Sequence, residues 1–151
     1  MLLQKENSPI EGFQRPTLGT ARNFNVVSGE FVQIHWSNHW VCVSSIGCLP
    51  GHVNLYDSLY HDAISQEVED QTNDLLGGRL ASLQFVSVQQ QTNGSDCGVF
   101  AIAIAIATCL ALGTNPSHVT FDIQRMRSHL VACLKGKNEH VSTFFNLINS
   151  V

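Results

Sequence analysis

Residues 31–36 and 39–45 read as strands whose successive side chains alternate between two faces, with Ser37-Asn38 between them, which predicts a hairpin. In the second strand Trp40, Cys42 and Ser44 share one face, and Val41, Val43 and Ser45 the other. Gly47, Pro50 and Gly51 predict another turn, and His52 to Tyr56 a third strand ending at Asp57, so the three form an antiparallel meander. Asp62 suits the cap of a helix running to about Leu76 and closed by Gly77-Gly78, and Leu83 to Val88 reads as a further strand. Next comes an unbroken apolar run, Val99 to Ala107, which continues past Thr108 and predicts a helix from Cys97 to Gly113. A helix with almost no polar face, yet shorter than the roughly 20 residues a bilayer span requires, belongs in a domain core. Thr120 or Asp122 opens a helix to Leu134 that Gly136 ends, with a weaker one over 140–149. Ahead of the meander, residues 7–24 hold Pro9, Gly12, Pro16 and Gly19 and read as a surface loop, after a helix remnant over 2–6.

The 151 residues are 44% hydrophobic and 13% charged, enough to bury one core, and no internal repeat argues for a second domain, so residues 1–151 are read as a single unit. The net charge of -4 and the scatter of the eight Lys and Arg residues exclude a nucleic-acid-binding face. No signal-peptide core or membrane segment is visible, and an intracellular address, nuclear or cytoplasmic, is expected together with a monomeric state. The five cysteines, Cys42, Cys48, Cys97, Cys109 and Cys133, form an odd set without a CxxC pair, and all are expected reduced. Cys42, Cys48 and His52 match no common zinc spacing, so neither metal nor cofactor is expected.

Chemistry concentrates in Gln91-Thr92-Asn93-Gly94-Ser95-Asp96-Cys97-Gly98. Asn93-Gly94 signals a turn, Ser95 and Asp96 can accept from the first orphan amides of the helix, and Gly98 leaves the backbone open beside the thiol. Cys97 then stands in the first helical turn, where the positive end of the helix dipole favours an anion. If Ser45 and His52 close the second turn, Trp40 faces Asp57 and His39 faces Ser58, and a one-residue bulge brings His39 opposite Asp57. Either way imidazole and carboxylate start about 5 to 8 Å apart at Cβ, within hydrogen-bonding reach. His35 lies two strands from Asp57, roughly 10 Å away, which makes His39 the better base. Taken singly, Cys97 is an ordinary core thiol, His39 a strand-end histidine, Asp57 a turn former and Gln91 a solvated loop side chain; together they supply four catalytic residue types in one order. Asp96 reads as a helix cap, Trp40 either as a groove wall or as core, and Tyr56, Phe85, Phe100 and Phe121 as packing.

His39-Trp40 opening a strand, Tyr56-Asp57-Ser58-Leu59 closing the next, and Gln91 six positions before Cys97 resemble the ubiquitin-like-protease family, the SUMO-deconjugating cysteine proteases. The likeness is firm from Phe31 to Leu112 and looser around Leu2-Leu3 and Gly12-Phe13. It implies an α+β fold, a papain-like protease with permuted chain order in which a mostly antiparallel sheet packs on a central helix starting at the catalytic cysteine. It implies Cys97 as nucleophile, His39 as general base and acid, Asp57 as its orienter, and Gln91 as an oxyanion donor, with Trp40 beside the substrate. The implied partner is a ubiquitin-like modifier or its conjugate, cleaved after a Gly-Gly tail through a thioester on Cys97.

Two departures stand out. Gln89 replaces a proline that many members carry two residues before the oxyanion glutamine, which is expected to loosen that loop. The chain is also short for the family, so part of the N-terminal substrate-binding segment is expected to be lacking. A mobile-element or viral protease acting on a polyprotein would share the motifs. An acetyltransferase of bacterial effectors uses a similar His, acid, Cys order, but the stretch around Cys97 follows the protease form. A catalytically inactive modifier-binding domain is the non-enzymatic alternative, and the intact tetrad argues against it.

Overall fold

In the computed structural model, which describes residues 10–109, 115–135 and 148–150, the stretch expected to be loop holds a two-residue strand, β1 (Glu11–Gly12), and a short helix, α1 (Pro16–Thr20). Pro16 starts α1 where its missing N–H costs nothing. Gly12 sits at φ +93° and so close to the neighbouring strand that a Cβ there would lie 2.1 Å from the Val32 carbonyl oxygen, a position open only to glycine. The alternating stretches form β2 (Phe31–Trp36), β3 (Trp40–Ser44) and β4 (His52–Tyr56), as the pattern predicts.

Helix α2 (Gln66–Leu75) begins later than expected. Ser65, not Asp62, is its cap, accepting from the Val68 amide at 3.2 Å, whereas Asp62 occupies a turn at φ +60°. Gly77 and Gly78 close it at φ +62° and +83°, and β5 (Ser82–Phe85) follows. The sheet order is β1-β2-β3-β4-β5. Its three central strands are antiparallel, while β1 joins β2 and β5 joins β4 in parallel. Cys42 opposes Tyr56 and Ser44 opposes Asn54, one residue away from the register expected for the second hairpin. The β3–β4 ladder stops at Ser44 and Asn54, and His52 and Val53 pair with β5 alone.

Helix α3 (Cys97–Cys109) covers one face of the sheet, where Val32, Ile34, Cys42 and Tyr56 meet Phe100, Ile104 and Ile106. Helix α2 covers the other, where Phe31, Val41, Val43, Val53 and Leu55 meet Val68 and Leu75. With both faces buried, the meander carries apolar residues on both sides of each strand, and α3, packed from every direction, is apolar all round. A short 3₁₀ turn (Pro116–His118) leads to β6 (Val119–Phe121) and α4 (Ile123–Leu134), which Asp122 caps through the Arg125 amide at 3.1 Å; Thr120 lies in β6 instead. β6 pairs with β7 (Ile148–Ser150), so residues 148–149, expected to be helical, are extended. The expectations for residues 2–6, Gly113, Gly136 and 140–147 lie outside the described residues. The outcome is the expected α+β fold, with the cysteine at the tip of a central helix. No helix among the described residues is long and apolar enough to cross a membrane.

Candidate active site

The loop before α3 is organised by Asn93. Its side-chain oxygen accepts from the amides of Ser95 at 2.9 Å and Asp96 at 3.0 Å, a tight turn that delivers Cys97 to the start of the helix. Asp96 does not fill the capping role expected of it. One carboxylate oxygen accepts from Asn93 Nδ2 at 2.7 Å and the other pairs with Arg127 of α4. Asn93, then Arg127, hold this carboxyl below the usual carboxylate range.

His39 stands just before β3, after a turn in which Asn38 takes φ +58°. It shares the face of Val41, and the observed register, continued one step, sets Val41 opposite Asp57, so His39 and Asp57 are diagonal neighbours on the α2 face. Their side chains close that diagonal: His39 Nε2 lies 2.5 Å from Asp57 Oδ1, which also accepts the Leu59 amide at 2.8 Å. A carboxylate only accepts, so in the neutral imidazole Nε2 carries the proton and Nδ1 is the nitrogen open to a thiol. The Asp57 hydrogen bond raises the His39 pKa against the opposing effect of burial, and the Cys97 side chain, also close by, raises it further. His39, Asp57 and Cys97 line one open cleft of about 290 Å³ with Val41, Leu59 and Ile64. His35 is elsewhere, fully buried under α2 with its Nε2 on Thr72 Oγ1 at 3.1 Å.

Gln91 is buried beside this cleft rather than solvated. Its Nε2 donates to the Asn93 carbonyl at 2.6 Å, its Oε1 accepts from the Ser58 hydroxyl at 2.6 Å, and its amide donates to the Ser58 carbonyl at 2.7 Å. Neighbouring glutamines brace the same loop. The Gln90 side chain donates to the Asp57 carbonyl at 2.9 Å and accepts from the Tyr60 amide at 2.9 Å. Gln89, expected to loosen the loop, instead fastens it to β6 by accepting from the Phe121 amide at 2.6 Å. Nothing in the sequence marks Ser58, Gln89 or Gln90 as bracing this site, beyond the place of Ser58 directly after Asp57 and of Gln89 two residues before Gln91.

Of the two readings of Trp40, core packing is the one observed. Its indole packs on the core around α3 and against Trp36, with ring centroids 4.7 Å apart, and its Cδ1 lies 3.4 Å from where a Cβ of Gly98 would stand. It therefore flanks the turn that carries the thiol. Cys42, Cys48, Cys97 and Cys109 form no disulfide. Among the described residues no cluster of three or more His, Cys, Asp or Glu side chains is arranged to hold a metal ion.

A thiol at a helix tip and, lining the same cleft, an imidazole with one nitrogen committed to a carboxylate form a set suited to acyl transfer by a sulfur nucleophile. Comparison with curated proteins and with solved structures finds no match. The family profile described as "Ulp1 protease family, C-terminal catalytic domain" does match, over residues 4–135, and that span contains every residue of the cleft. The chain therefore belongs to the Ulp1 protease family, as a cysteine protease catalytic domain.

Proposed function

We propose that this domain hydrolyses the peptide or isopeptide bond that follows the Gly-Gly tail of a ubiquitin-like modifier such as SUMO, with Cys97, His39, Asp57 and Gln91 as its catalytic residues. The observation that carries the reading is the His39 Nε2 to Asp57 hydrogen bond at 2.5 Å, in a cleft that also holds Cys97, because it commits one ring nitrogen and leaves Nδ1 for sulfur.

Nδ1 takes the thiol proton as sulfur attacks the carbonyl carbon, and the imidazolium that forms is stabilised by Asp57, which keeps its own charge. The negative oxygen of the tetrahedral intermediate is held by the Gln91 side-chain amide and the Cys97 backbone N–H, each worth roughly 3 kcal/mol in comparable enzymes. Collapse breaks the carbon–nitrogen bond. His39 returns its proton to the departing amine, and the modifier stays on sulfur as a thioester. Water, losing a proton to Nδ1, attacks the thioester and frees the carboxylate and the thiol. Trp40, beside Gly98, walls the path of the narrow tail. Thiols outside disulfides at Cys42, Cys48, Cys97 and Cys109 suit a reducing intracellular compartment, nuclear or cytoplasmic, and a monomer suffices, since every proposed catalytic residue comes from one chain.

The test is a panel of ubiquitin-like modifiers carrying a thiol-reactive C-terminal warhead. One or more form a covalent adduct with the wild-type chain and none with Cys97→Ala. Adducts that persist in Cys97→Ala refute the nucleophile assignment, and absence of labelling across the panel refutes the substrate class.

A further inference from the structure

Ser58 is 2% exposed, directly follows Asp57 and touches Gln91 twice. We infer that Ser58 is a positioning residue that holds the Gln91 amide in its oxyanion-binding orientation, an inference that rests on the acyl-transfer reading above. A primary amide has two orientations of nearly equal shape, and hydrogen-bond partners decide between them. Here both partners agree. The Asn93 carbonyl only accepts, so Nε2 faces it, and the Ser58 hydroxyl donates to Oε1. With Oε1 engaged and one N–H spent on Asn93, the second N–H of Nε2 is the donor kept for a developing oxyanion.

The Ser58 carbonyl also accepts the Gln91 amide, so one residue restrains both backbone and side chain. Asp57 and Ser58 are consecutive, and Gln90 ties the turn they form to the Gln91 loop. One turn thereby registers the base, through Asp57, with the oxyanion donor, through Ser58. Removing the hydroxyl leaves a buried amide oxygen without its donor and lets the amide swing on a single remaining anchor. One fully lost oxyanion donor costs about 10²- to 10³-fold in rate, so partial misalignment is expected to cost roughly tenfold or more.

The test compares two reactions of the same sulfur, using the full chain. Acylation by p-nitrophenyl acetate develops an oxyanion, whereas alkylation by iodoacetamide displaces iodide from carbon and develops none. Ser58→Ala is expected to slow acylation at least tenfold while alkylation and its pH profile stay at wild-type values, and Ser58→Thr, which keeps the hydroxyl, is expected to restore acylation. The Ser58→Ala/Gln91→Ala double variant is expected to acylate no more slowly than Gln91→Ala alone. Equal losses in both reactions, a slower double variant, or unchanged acylation in Ser58→Ala overturn the positioning role. Acylation that survives in Cys97→Ala, or that Gln91→Ala leaves untouched, overturns the underlying catalytic reading instead, and unfolding of Ser58→Ala by circular dichroism overturns the claim that the hydroxyl acts on the site alone.

Discussion

His35 is the group through which mild acid is expected to weaken this domain. Its ring is fully buried between β2 and α2, packed near Phe24 with centroids 5.5 Å apart. Thr72 spends its own proton on the Val68 carbonyl at 2.7 Å, so its oxygen accepts from His35 Nε2, and His35 Nδ1 has no partner. A proton added at Nδ1 would be a buried donor, on a charged ring, with nothing to receive it. Burial accordingly pushes the pKa down to about 3 from the model-compound 6.5. A folded-state pKa below the unfolded one means that the unfolded chain binds the extra proton first, so stability is fully present above pH 6.5 and falls as the pH drops toward 3. Integrated from pH 7 to pH 5, the loss is about 2 kcal/mol, and it hardly depends on how far below pH 5 the folded value lies. That is a sizeable part of a typical domain stability of about 5–15 kcal/mol. His39, with a raised pKa, acts in a different window: its contribution is complete below 6.5 and is lost as the pH rises through its folded value. Urea unfolding of the wild type and of His35→Gln at pH 7 and pH 5 separates the two. The wild type is expected to lose about 2 kcal/mol more than the variant over that interval. Equal losses in the two proteins would show that His35 does not carry the acid sensitivity.

Asp57→Asn and His39→Ala are expected to lower kcat on the order of 10²-fold or more while shifting the melting temperature by only a few degrees, because both side chains sit at strand ends beside an open cleft. Comparable losses of folding and turnover, read by calorimetry and by modifier cleavage, would count against a catalytic role. Gly12→Ala is expected to cost about 2 kcal/mol or more, since φ +93° and the 2.1 Å approach to Val32 both oppose a Cβ; an unchanged urea midpoint would contradict this. Ile104→Ala empties a fully buried site on α3 and is expected to cost about 3 to 4 kcal/mol in the same assay, a loss under about 1 kcal/mol being the contrary result.

Where local chemistry decides structure, the chain could be read directly. Alternation bounded by Ser37-Asn38 and by the Gly47-Pro50-Gly51 turn marks β2 and β4 at their observed ends, and the apolar run after Cys97 marks the buried helix. What escaped depends on partners distant in sequence. β1 is two residues long and exists through Phe31 and Val32, and the β3–β4 ladder ends at Ser44 and Asn54, in a register one residue from the expected one. Ser65 displaces Asp62 as the α2 cap because Asp62 is drawn into a left-handed turn. The site divides in the same way. His39, Asp57, Gln91 and Cys97 are visible as residue types in a distinctive order, whereas the bracing by Ser58, Gln89, Gln90 and Arg127 consists of hydrogen bonds and ion pairs across loops, and polar loop residues carry no periodicity that would reveal such partners.

Assembling the cleft from a hairpin and from a helix tip forty residues later sets the timing of its reactivity. A polypeptide as far as β5 already owns the imidazole and its carboxylate but not Cys97. When Cys97 follows, it reaches the cleft only as α3 seats against the sheet. The side chains proposed to act together are thus gathered only by tertiary packing, when α3 lies against the sheet that carries the hairpin.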